Sequence, residues 1–136
     1  MRSVYLIFEE SKQDAIIRFF ERYCSYCNEY SGGSKKQFFV LDNDDPCLNI
    51  YPIDVDDLEI EDEDTLKILI DIDINVVVWE IDISRRHDGR KELYELIIQL
   101  FSVESGYAKD DDSDHFWTIE EIQNKKLIEG RTFFNF

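Results

Sequence analysis

Positive charge is scarce in this chain. Fifteen lysines and arginines stand against 31 aspartates and glutamates, a formal net charge of −16, and no basic run is longer than a pair such as Arg85-Arg86. Affinity for nucleic acid comes mainly from Lys and Arg neutralising phosphates, so the composition argues against a nucleic-acid partner and for a basic protein one. Long apolar runs are also missing. Nothing approaches the ~18 residues of a membrane helix, and the apolar start Val4–Phe8 meets Glu9-Glu10 before it could serve as the core of a secretory leader, so no membrane partner is expected and the expected compartment is the cytoplasm. Cysteine occurs only at Cys24, Cys27 and Cys47. An odd set without an export signal fits free thiols in a reducing compartment.

The residues that usually carry catalysis are equally sparse. There are two histidines, His87 and His115, with no Gly-rich phosphate loop, no Gly-x-Ser-x-Gly and no second CxxC. No catalytic residue, metal site or cofactor is therefore expected. Cys24-Ser-Tyr-Cys27 has the spacing of a redox or zinc half-site, but it falls near the predicted end of the first helix, where the helix dipole raises a thiol pKa and opposes reactivity.

What the chain has in abundance is acid, concentrated between Asp54 and Asp64. Asp54, Asp56, Asp57, Glu59, Glu61, Asp62, Glu63 and Asp64 are separated only by Val55, Leu58 and Ile60. Carboxylates this dense repel one another and resist desolvation, so the run must face water or a cationic partner, with Leu58 and Ile60 available as anchors. These eight residues are the expected partner-binding set. The plainer reading is a solvated loop that maintains solubility.

An apolar fraction of 43%, with 14% aromatic, supports a folded chain, and 136 residues suit one globular domain over 1–136. Val4, Leu6, Ile7 and Phe8 predict a buried central strand. Ser11 and Asp14 resemble a capping box, and Ile16, Phe20, Tyr23, Cys27 and Tyr30 recur at helical spacing, predicting a helix that stops near Ser31-Gly32-Gly33. Gln37–Leu41 and Cys47–Ile53 predict a hairpin around Asp42–Pro46. Alternation over Leu66–Ile74 and Val77–Ile83 predicts two neighbouring strands. Asp88-Gly89 would cap a second helix with the stripe Leu93, Leu96, Ile97, Leu100 and Phe101, and Thr118 with Glu121 a short third one. The aromatic tail Thr132–Phe136 should dock as an edge strand or in a groove. The expected fold class is α+β: a mainly antiparallel sheet of four to five strands, two main helices on one face and a short C-terminal helix.

Two further patterns offer alternatives. Asp110, Asp112, Asp114 and Glu121 overlay the ligand spacing of a calcium-binding loop, although His115 stands where such a loop needs glycine. Arg85–Lys91, the one basic cluster, precedes a helix N-terminus and would suit an anionic ligand, or an enzyme acting on an anionic substrate.

The whole chain resembles in general type the immunity proteins of bacterial polymorphic or contact-dependent toxin systems, being small, strongly acidic and α+β, with a charged central connection. His115–Ile122 and Lys126–Phe134 are similar in style to the C-terminal ends of such proteins. The resemblance implies a cytoplasmic inhibitor that caps a cognate toxin, often a basic nuclease, and it assigns a role to no individual residue.

Overall fold

A computed structural model describes residues 2–24, 26–30, 35–58, 67 and 75–136, with backbone alone at 26–30 and 35–36. The strands are β1 (Arg2–Glu9), β2 (Tyr26–Tyr30), β3 (Lys35–Asp42), β4 (Asp45–Ile53), β5 (Val76–Ile83) and β6 (Tyr107–Asp110). The helices are α1 (Gln13–Tyr23), α2 (Arg90–Val103) and α3 (Ile119–Gln123). The class is α+β, and the strands form one antiparallel sheet in the order β2-β3-β4-β5-β1-β6.

Alternation in β1 builds two layers. Val4, Leu6 and Phe8 point one way into the main core, while Tyr5 and Ile7 point the other way. The main core joins them to Phe38, Leu48, Ile50, Trp79, Ile81 and Ile83 of the sheet, to Ile16, Phe19 and Phe20 of α1, and to Leu93, Leu96, Ile97, Leu100 and Phe101 of α2. A smaller cluster on the other side holds Ile7, Leu58, Val78 and Phe116.

Several local expectations are corrected. The first helix ends at Tyr23 and not near Tyr30, because Cys24 is already extended and 26–30 pairs with β3, Tyr26 opposite Phe39. Cysteine, tyrosine and asparagine are weak helix formers, and sheet hydrogen bonding outweighs the faint helical spacing that ran through them. Cys24 is half-buried at the helix end, and Cys27 belongs to β2. Ser11 sits in a short 3-10 turn before α1 and makes no cap to it. Asp88 does not cap α2 either. Gly89 holds that position at φ +71°, and a side chain there would also strike Ile83.

The β3–β4 hairpin turns on Asn43 and Asp44, both at positive φ, the two-residue turn whose twist suits a hairpin; Pro46 lies in the strand after it. The predicted strand over Leu66–Ile74 lies outside the described residues. Over Val78–Ile83, β5 has β4 on one edge and β1 on the other.

β6 lies between the second and third helices, where the sequence led to no expected strand. Gly106 makes this possible, since a Cβ there would meet the Ile7 carbonyl and the Phe8 ring, each at 2.5 Å. Ala108 then exchanges backbone hydrogen bonds with Trp117 at 2.9 and 2.7 Å, covering part of the sheet edge. The aromatic tail is docked as expected, but as a short 3-10 turn and not as a strand. Phe133 and Phe134 are buried, and Phe133 lies edge-on to Trp117 at 5.8 Å.

Candidate functional site

Register places two polar rows and one apolar row on the sheet face that bears Tyr5 and Ile7. Ser3 lies opposite Asp82, Tyr5 opposite Glu80 and Ile7 opposite Val78. Across the other edge of β5, Asn49, Tyr51 and Ile53 meet the same three residues. β6 extends the rows with Lys109 beside Tyr5 and Tyr107 beside Ile7.

The polar rows form a connected network. Tyr51 Oη contacts Glu80 Oε2 and lies 2.7 Å from Asp82 Oδ2. Ser3 Oγ donates to Asp82 Oδ1 at 2.7 Å, and the Ser3 amide to Asp111 Oδ2 at 3.0 Å. Tyr5 Oη donates to Asp111 Oδ1 at 3.3 Å. Gln37 Nε2 donates to Asn49 Oδ1 at 2.6 Å at the β3 side. Lys109 is the cation among these rows; its ammonium donates to the Asp110 carbonyl at 3.0 Å and stands 5.4 Å from the Tyr5 ring centre.

This density of acid shifts the titration of its members. Burial is the largest cause that lifts Glu80 to about 7, followed by its hydrogen bond with Asp82; Tyr51 opposes the rise, and the charges of Asp82 and Asp111 add to it. Burial and the neighbouring carboxylates also push the Tyr5 and Tyr51 phenols upward. Both phenols therefore remain hydrogen-bond donors at neutral pH.

The acidic stretch enters this face at one end. Val55–Leu58 forms a 3-10 turn, closed by the Asp57 amide donating to the Asp54 carbonyl at 3.0 Å. Leu58 is buried beside Ile7, Val78 and Phe116, whereas Asp54, Asp56 and Asp57 are exposed. The anchoring role expected of Leu58 and the outward position of these aspartates both hold. Glu59, Glu61, Asp62, Glu63 and Asp64 lie outside the described residues, as does Ile60.

Tyr5, Tyr51, Glu80 and Asp82 were not singled out as site residues in the sequence. The alternation Trp79-Glu80-Ile81-Asp82-Ile83 already puts two carboxyls on one face of a strand. Their partners come from strands 31 and 79 residues away, for Tyr51 and Ser3 respectively, and the sequence does not indicate those pairings.

The calcium-loop spacing is overturned. Asp110 is 1% exposed, accepts from the Phe134 amide at 2.9 Å and lies 3.6 Å from Arg131 Nη2, so it serves the docked tail. Glu121 completes the capping box with Thr118 and also takes His115 at 3.1 Å and Lys126 at 3.4 Å. Burial alone would raise Glu121, but the Thr118 amide, His115 and Lys126 outweigh it and hold the carboxyl below its ordinary range. A lowered carboxyl contributes stability above its unfolded pKa and loses it as pH falls through the folded value. Glu121→Gln, which removes the charge that these partners favour, is thus expected to cost about 1 kcal/mol near neutral pH, and less in acid where Glu121 is itself protonated. Thermal melts at the two pH values check this, and equal costs would refute the coupling.

The cations of the basic cluster are exposed, and several of its members pair with carboxylates of the chain itself. Arg86 pairs with Asp45 at 2.9 Å, His87 Nε2 lies 3.4 Å from Asp45, and Arg90 bonds Asp88 at 2.9 Å. Cys47 is buried, and burial pushes its thiol up to about 11, which leaves it protonated and unreactive. Among the described residues, no group of three or more His, Cys, Asp or Glu could hold a metal ion, and no helix is long and apolar enough to cross a membrane. No protein-family model, curated protein or solved structure matches the chain.

Proposed function

We propose that this is a binding protein of the immunity type, which neutralises a basic toxin domain in the cytoplasm by docking it on the polar sheet face and the acidic turn beside it. We infer that both long helices cover the opposite face and that a partner docks on this one. The observation that carries the reading is the gathering of Glu80, Asp82, Asp111, Asp54, Asp56 and Asp57 on and beside one face, with Lys109 the cation in its rows among the described residues.

Such a surface attracts a basic partner over several ångströms and speeds association, while Tyr5 and Tyr51 supply rigid contact area at low entropic cost. An interface of standard size, about 1,200–2,000 Å² in total, would span the three rows and the turn. Leu58 matters because it pins the acidic turn at the rim, so those charges meet a partner without first being ordered.

The test begins with the adjacent upstream reading frame: if it encodes a large secreted protein with a variable C-terminal domain, binding to that domain is measured by surface plasmon resonance and by rescue of growth on co-expression, and if it does not, the immunity reading falls. The triple variant Asp54→Lys, Asp56→Lys, Asp57→Lys is expected to slow association at least about tenfold at low salt, and the wild-type affinity to fall as salt rises. Affinity that is flat across salt, or a triple variant that protects as well as the wild type, overturns the electrostatic docking.

A further inference from the structure

The hydroxyl of Tyr51 touches two carboxyl groups at once, Glu80 Oε2 and Asp82 Oδ2. A phenol carries one hydrogen and can donate it to only one of them. At the second contact two oxygens bearing lone pairs would repel, unless the carboxyl itself brings a hydrogen. Three acidic groups in this arrangement need two protons: one on the phenol and one on the carboxyl pair.

Register makes the arrangement unavoidable. Tyr51 pairs directly with Glu80, and Asp82 is the next residue on the same face of β5. Described groups from each neighbouring strand face the pair. Ser3 and Tyr5 come from β1, with Ser3 Oγ filling Asp82 Oδ1 at 2.7 Å. Lys109 comes from β6, and Asp111 just beyond it adds negative charge. Gln37 and Asn49, from β3 and β4, are uncharged and bonded to each other at 2.6 Å. Lys109 directs its ammonium to the Asp110 carbonyl and stands 3.9 Å from Asp114.

We propose that Tyr51, Glu80 and Asp82 act as one proton-sharing unit, which holds a single extra proton between its carboxyls in the free protein and releases it to solvent when a cationic side chain docks. The docking half rests on the function proposed above; the proton count rests on geometry alone. The lifted titration of Glu80, to about 7, places the exchange near neutrality. Below that pH one carboxyl is neutral and the face carries one charge fewer. Above it both are ionised, and the face binds a guanidinium or ammonium more tightly.

The carboxyl carbons of the full chain, followed by NMR between about pH 4 and pH 9, decide the proton count. One carboxyl of the pair is expected to titrate near neutrality, and Asp82→Asn to bring Glu80 down by at least about one pH unit. Tyr51→Phe should move the midpoint while the amide spectrum stays folded. Two carboxyls already ionised at about pH 5.5 in the wild type overturn the proposal.

Calorimetry with a hexa-arginine peptide near pH 6.5, in buffers of different ionisation enthalpy, decides the docking. Release of up to about one proton per peptide is expected, and no more than about a quarter of one from Asp82→Asn. Binding without proton release, beside a normal carboxyl titration, overturns docking on this pair. A peptide that does not bind counts against the cationic-partner reading, and the carboxyl titration still decides the shared proton.

Discussion

Trp79→Ala is expected to remove most of the stability of the fold. Trp79 is 1% exposed in the middle of β5, with its ring 5.0 Å from Phe20 of α1 and 6.0 Å from Phe38 of β3. Its Nε1 donates to Gln13 Oε1 at 3.0 Å, which ties the start of α1 to the sheet. One side chain therefore joins elements remote in sequence. Its truncation would cost about 3–5 kcal/mol, against a total of about 5–15 kcal/mol for a typical domain. Urea denaturation followed by circular dichroism measures it. Trp79→Phe, which keeps a ring and loses the bond to Gln13, should cost clearly less. An alanine variant within about 1 kcal/mol of the wild type would mean that the core can collapse around the gap.

The second large effect is expected from Asp110→Ala. This carboxylate accepts from the Phe134 amide at 2.9 Å and the Asp112 amide at 3.1 Å, and it faces Arg131. Arg131 Nη2 is buried without a hydrogen-bond partner, while Nη1 bonds Asp112 Oδ2 at 3.2 Å, so the guanidinium keeps one carboxylate when Asp110 is lost. Removing the Asp110 carboxylate leaves the buried Phe134 amide without its acceptor and takes one of two carboxylates from Arg131, at about 1–3 kcal/mol. Asp110→Asn can still accept from Phe134 and should lose less. The expected signature is local: faster amide exchange over Thr132–Phe136 and altered emission of Trp117 as Phe133 leaves its ring. Unchanged protection of the tail would remove Asp110 from that role.

Both predictions concern residues whose importance is legible to different degrees. Trp79 belongs to a run whose alternation announces a half-buried strand, and its burial follows directly. Asp110 reads in sequence as one of several acidic loop residues, and its period suggested a calcium ligand. Nothing local distinguishes it from Asp112, which is exposed; the difference is the tail that returns 24 residues later to place Phe134 against it. Helix α2 was legible because five apolar residues at helical spacing leave no alternative, whereas the tail of the predicted first helix was not, because a strand partner was waiting in β3. For the acidic turn, the sequence was enough to expect Leu58 inside and Asp56 and Asp57 outside, since a branched apolar side chain and a carboxylate differ so strongly in their cost of burial.

By itself the sequence determined the class of fold, the scarcity of cations, the α2 stripe, the Thr118–Glu121 capping box and the outward acid of Asp54–Asp57. These follow from period, composition and local hydrogen bonding, which act over a few residues. Only the tertiary structure decided that β5 lies between β4 and β1, that Asp110 is buried under the tail, and that Tyr51, Glu80 and Asp82 meet. Antiparallel pairing joins residues that share no local signal, and a one-residue change of register would send each of these groups to the opposite face.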